Sequence, residues 1–93
     1  MASHDELLDK LRGLVIAGDR DGIGVVAQEA LAAGLEPLGI IERGLAPAMR
    51  EVGERFKRYE VYLPEMMLAA EAWERAMGVL EPRMAARGEV TER

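Results

Sequence analysis

Apolar residues recur every three or four positions through four successive segments of this chain, and no stretch of useful length alternates with period two. A chain patterned this way buries its apolar faces by packing helix on helix, so the fold class is all-α. The first segment opens on the capping box Ser3-His4-Asp5-Glu6, carries Leu7, Leu8, Leu11, Leu14 and Val15 on one stripe, and stops near Gly18. Asp19 or Asp21 caps the second segment, whose stripe is Ile23, Val26, Ala27, Ala30 and Leu31 and whose left-handed stop is Gly34. The third begins with Pro37 at its first helical position, with Leu35 placed to staple onto Ile40, and its stripe reads Leu38, Ile41, Leu45, Met49, Val52 and Phe56. Pro47 falls inside that pattern, removes one backbone hydrogen bond and crowds the carbonyl of Arg43, which predicts a kink near Gly44. The fourth runs from Pro64 to about Pro82, with Met66, Ala70, Trp73, Met77, Leu80 and Met84 as its core-facing seam. Short connections make each helix an antiparallel neighbour of the one before, which predicts an up-and-down four-helix bundle.

This length suits one core, burying roughly 60 to 65% of the surface the unfolded chain exposes. The helical domain covers residues 1–84, and the polar, unpatterned residues 85–93 read as the start of a linker. No apolar run approaches the ~18 to 20 residues of a membrane span, and the N-terminus lacks the basic and apolar regions of a signal peptide, so the chain reads as cytoplasmic and free of membranes. A net charge of −5 argues against nucleic acid, whose binding rests on clustered Lys and Arg. The sequence has no cysteine, which excludes disulfides, thiolate metal sites and a thiol nucleophile.

The remaining inventory for catalysis is thin. His4 is the single histidine and sits in a first helical turn, where an exposed side chain is the plain reading. The glycines fall singly at helix ends or on helix faces, so there is no phosphate-cradling loop. Glu51, Glu54 and Glu60 resemble a di-iron carboxylate set only until one looks for its Glu-x-x-His repeat, which is missing. The chain by itself is not read as an enzyme.

What stands out instead is the turn between the third and fourth segments. Leu63 precedes Pro64 where a helix start prefers Ser, Thr, Asp or Asn, so a local rule is broken without a local gain. Phe56, Tyr62, Leu63 and Met66 all lie at this edge of the bundle, and exposed together they would form an apolar platform for a large planar ligand or a partner surface.

Several segments in order then carry a family resemblance: Gly34-Leu35-Glu36-Pro37-Leu38 before Ile40-Ile41, Gly44-Leu45 with Met49, Val52-Gly53-Glu54-Arg55-Phe56, and Tyr62-Leu63-Pro64-Glu65-Met66-Met67 with Ala69-Ala70-Glu71-Ala72. Together they resemble the helical cap domain of the methyl-transferring corrinoid proteins and cobalamin-dependent methionine synthases. The resemblance implies a four-helix cap over the upper face of cobalamin, with Phe56, Tyr62, Leu63 and Met66 as the corrin-facing positions, protecting a cobalt-bound methyl group. It implies as partners a Rossmann-like cobalamin-binding domain and methyl donor and acceptor methyltransferases. That domain's Asp-x-His-x-x-Gly motif, which supplies the lower cobalt ligand, does not occur here, so the cofactor is expected to be weakly held or unbound by this chain alone. The related light-sensing regulators carry Glu-His where Met66-Met67 stand, which sets this chain apart from them. Tyr59 also departs from the resemblance, standing where glycine or another turn former is usual. The alternative is a free-standing interaction or dimerisation module, a homo-oligomer joined through the same apolar edge.

Overall fold

The computed structural model describes residues 3–86. Helix α1 spans His4–Ala17, α2 spans Arg20–Ala32, and α4 spans Leu63–Ala86. Between them α3 is one rod over residues 37–57 in three pieces: Pro37–Ile40 in α geometry, Ile41–Leu45 as a π turn, and Ala46–Lys57 in α geometry again. The described residues contain no strand, and the all-α, four-helix bundle is the observed class. Its extents are 40 × 36 × 20 Å, and the shortest is the thickness of two helix layers.

The predicted caps form. Ser3 Oγ accepts the Glu6 N–H at 3.1 Å while Glu6 Oε1 accepts the Ser3 N–H at 2.9 Å. The backbone N–H of Ser3, and then its hydroxyl, hold the Glu6 carboxyl below its ordinary range. Ser3→Ala should therefore destabilise the domain by about 1 kcal/mol, read as a lower urea midpoint at unchanged slope. At the other end of α1, Gly18 sits at φ 70°, and a Cβ there would come within 2.7 Å of Leu68 Cβ. Backbone hand and packing both demand glycine at this corner. Asp19 caps α2 through a 2.9 Å bond from the Gly22 N–H. His4 is exposed, as its position predicts, and its Nε2 lies 2.9 Å from the Ala33 carbonyl oxygen, tying the start of α1 to the end of α2.

The proline in α3 is accommodated by the π turn rather than by a sharp break. Pro47 has no N–H for the Arg43 carbonyl, and Arg12 Nη1 of α1 donates to that oxygen instead, at 2.6 Å. The wide turn also rotates the buried face. Ile40, Gly44, Leu45, Ala48 and Val52 are buried, whereas Leu38, placed on the stripe by the sequence pattern, is exposed and Ile41 and Met49 are half-buried. A strict 3.6 spacing cannot track a helix that gains a residue in one turn.

Helix α4 is shifted in the same sense. Its fully buried line is Ala69, Ala72, Ala76 and Leu80, followed by Met84, while Met66, Trp73 and Met77 pack half-buried at its flanks and Ala70 is exposed. Small side chains on the inner line let α4 lie close to its neighbours. The helix begins one residue before Pro64 and passes Pro82, continuing to Ala86. Pro82 deprives the Gly78 carbonyl of its N–H, but Gly78 lies on the solvent side, where water can reach that oxygen. Residues 85 and 86 thus complete α4, and the rest of the predicted linker lies outside the described residues.

The helices do not all neighbour one another in chain order. α1 packs on α2 and on α3, and α2 packs chiefly on α4, whereas α2 meets α3 mainly at Pro37–Ile40. The expectation that α3 flanks α2 along its length is corrected by the alanine line of α4, which admits α2 there more closely than larger side chains would.

Candidate functional site

The connector from α3 to α4 covers residues 58–62 and is held by backbone geometry, two ion pairs of Arg58, with Glu60 and with Glu51, and a side-chain cap. The Tyr59 N–H donates to the Phe56 carbonyl at 3.1 Å and the Glu60 N–H to the Arg55 carbonyl at 2.8 Å, the two bonds of a Schellman ending. That ending puts Tyr59 at φ 63°, a left-handed conformation that costs a residue with a Cβ roughly 1–2 kcal/mol. Arg58 closes back on the turn, its Nε 2.8 Å and its Nη2 3.3 Å from the two carboxylate oxygens of Glu60. This bidentate bond holds the Glu60 carboxyl below its ordinary range. Reciprocally it raises Arg58.

The carboxylates that looked like a di-iron set have other work. Glu51 accepts from Arg55 at 2.9 Å, Glu54 pairs with Lys57 at 3.6 Å and Glu60 is taken by Arg58. Among the described residues no group of three or more His, Cys, Asp or Glu side chains could hold a metal ion. Nor is any helix of the described residues long and apolar enough to cross a membrane.

The broken capping rule at Leu63 has a physical resolution. The helix starts at Leu63, and the Tyr62 N–H donates to Glu65 Oε1 at 2.7 Å, which is one half of a capping box made without a Ser or Thr. On its inner side the connector is seated by Val61, half-buried beside Ile16, Val52 and Leu68 around a cavity of about 170 Å³. Its outer residues remain in solvent. Phe56 is 40% exposed, Tyr62 68% and Leu63 58%, while Met66 is half-buried against the core.

Helical spacing extends this edge beyond the residues read from sequence. Leu63, Met66, Met67 and Ala70 stand three or four positions apart on α4, so they share one facet, and Met67 is 56% exposed. Ala70 in turn lines an apolar groove of about 450 Å³ with Ala46, Met49 and Trp73, rimmed by Arg50 and Glu74. Sequence reasoning missed Met67 and the groove. Their signal was present, since Met67 is a large apolar residue beside Met66 and three before Ala70 that the core-facing seam leaves out. Leu68 is exposed too, but it lies at the α1–α2 corner against Gly18 and belongs to another surface.

The sequence profile of the B12 binding domain family matches residues 7–81. The chain is 43% identical over 82 residues to monomethylamine corrinoid protein 1 of Methanosarcina acetivorans, covering 88% of this chain and 38% of that protein. It is 39% identical over 92 residues to trimethylamine corrinoid protein 1 of the same organism, covering 99% of this chain and 43% of that one. The structure of the Methanosarcina barkeri monomethylamine corrinoid protein superposes with a TM-score of 0.86 at 38% identity, over 88% of this chain and 39% of its own. The chain therefore spans about two fifths of the length of these relatives. On sequence profile, identity and superposed fold together, this four-helix bundle belongs to the B12 binding domain family.

Proposed function

We propose that the chain is the cap module of a corrinoid methyl-carrier protein, with Phe56, Tyr62, Leu63 and Met66 laid over the upper face of the corrin. The observation that carries this is the exposure of large apolar side chains around one short connector that is itself tightly held. Monomeric domains rarely leave such residues grouped in solvent without a use for them.

The residues suit a cover for the ring face and not a ligand set for the metal. They offer neither imidazole nor carboxylate, and of the carboxylates nearby in sequence Glu51, Glu54 and Glu60 are bound to arginine or lysine while Glu65 accepts the Tyr62 N–H. Cobalamin, when bound, supplies the cobalt–carbon bond that carries the methyl group. This chain's part is to lay Phe56, Tyr62 and Leu63 against the ring, exclude water from that face and leave again when a methyltransferase approaches. Apolar contacts suit that cycle because they are non-directional: closing wins roughly 25 cal/mol per Å² of apolar surface, and opening leaves no buried polar group unpaired. On this account the module assists methyl transfer without catalysing it, and its partners are a cobalamin-binding domain and the methyl donor and acceptor enzymes.

The direct test adds the purified chain to a methylcobalamin-loaded cobalamin-binding domain that lacks its own cap. Photolysis of the cobalt–carbon bond, followed by absorbance, should slow several-fold and in a saturable way. A rate that ignores the chain at every concentration would end this reading.

A further inference from the structure

Tyr59 is placed against two rules at once. Its backbone is in the left-handed region at φ 63°, where glycine belongs, and its side chain is 83% exposed. The Schellman ending needs the left-handed backbone but not a tyrosine to carry it: the ring is barely covered, and the hydroxyl makes no hydrogen bond with a described residue. A side chain that strains a turn glycine would make freely, and that the fold does not use, points to a role outside the folded chain. The position of Tyr59 gives that role an address, three residues from Phe56 and three from Tyr62 in the same clamped connector, with the Arg58–Glu60 fork fixing the turn around it.

We propose that Tyr59 is a cofactor-contact residue that extends the platform of Phe56, Tyr62 and Leu63 as an aromatic edge against the corrin. This rests on the reading that the platform covers the corrin face. An aromatic ring brings a large contact area with few rotatable bonds, so little freedom is lost when it docks. The Schellman turn holds its backbone in place beforehand, and the domain tolerates the strained conformation in the uncapped state.

The consequence is a trade between stability and binding at a single residue. Tyr59→Gly should raise Tm by roughly 2 to 6 °C, because glycine adopts positive φ without strain, a gain partly offset by the greater freedom of glycine in the unfolded chain. The same variant should bind the methylcobalamin-loaded domain about fivefold or more weakly, measured by calorimetric titration, since an aromatic anchor is lost. Tyr59→Phe, which keeps both ring and strain, should leave Tm and affinity near those of the parent chain. A Tyr59→Gly chain that gains Tm but binds as tightly as the parent makes Tyr59 a mere turn residue and overturns the proposal, as does a Tyr59→Phe chain that loses as much affinity as Tyr59→Gly. Phe56→Ala measured alongside separates the two levels. If it binds normally the platform reading itself has failed, and if it binds weakly while Tyr59→Gly does not, only the role of Tyr59 has.

Discussion

Alanine at both Phe56 and Leu63, in a chain joined to a cobalamin-binding domain, should speed loss of the cobalt-bound methyl group to light and water by about tenfold or more, while helix content and Tm should stay near those of the parent. The size follows from removing two large apolar side chains from one contact surface, where truncation of an anchoring residue costs about 1 kcal/mol or more and 1.4 kcal/mol is tenfold in the fraction closed. The unchanged fold follows from exposure. Neither side chain belongs to the buried core, so truncation leaves no internal cavity, and surface substitutions usually stay within ~0.5 kcal/mol. Val25→Ala is the matched control, since Val25 is just as exposed but lies on α2, away from the connector, and should leave the rate alone. Equal photolysis rates for the parent and the double variant would remove the platform from the mechanism.

The second large effect concerns stability. Ala72→Leu should lower the unfolding free energy by roughly 1–3 kcal/mol, a fall in Tm on the order of 5 to 20 °C by calorimetry, whereas Ala70→Leu should stay within about 0.5 kcal/mol of the parent. The two positions are two residues apart on the same helix and carry the same side chain. Ala72 has no exposed surface and sits on the inner line of α4, so three added carbons must push α4 off its neighbours or adopt a poor rotamer. Ala70 faces solvent at the edge of the groove beside Trp73. A larger loss at position 70 than at 72 would mean that the buried face of α4 is the Met66–Ala70–Trp73 seam of the sequence pattern and not the alanine line.

That contrast shows where sequence reasoning stops. Leu7, Leu8, Leu11 and Val15 were readable as core because leucine and valine at helical spacing have one sensible destination. On α4 the rule that large apolar residues face inward misplaced the seam. The alanines were buried fully, and Met66, Trp73 and Met77 were left half-covered beside them. Alanine carries too little hydrophobic signal to declare itself, and only the approach of α2 and α1 to α4 tells which alanines are inside.

The sequence by itself determined the all-helical class, the Ser3–Glu6 capping box, the stops at Gly18 and Gly34, and the family, because capping, turn conformation and apolar period are local properties written within a few residues. The tertiary structure alone decided the π turn at Ile41–Leu45 and the hydrogen bond from Arg12 that serves the Arg43 carbonyl. It also decided the packing of α2 on α4, and which apolar residues near the connector stay in solvent. These depend on contacts between residues far apart in the chain: whether Leu38 or Ile40 is inside is settled by a neighbouring helix, and no local pattern contains it.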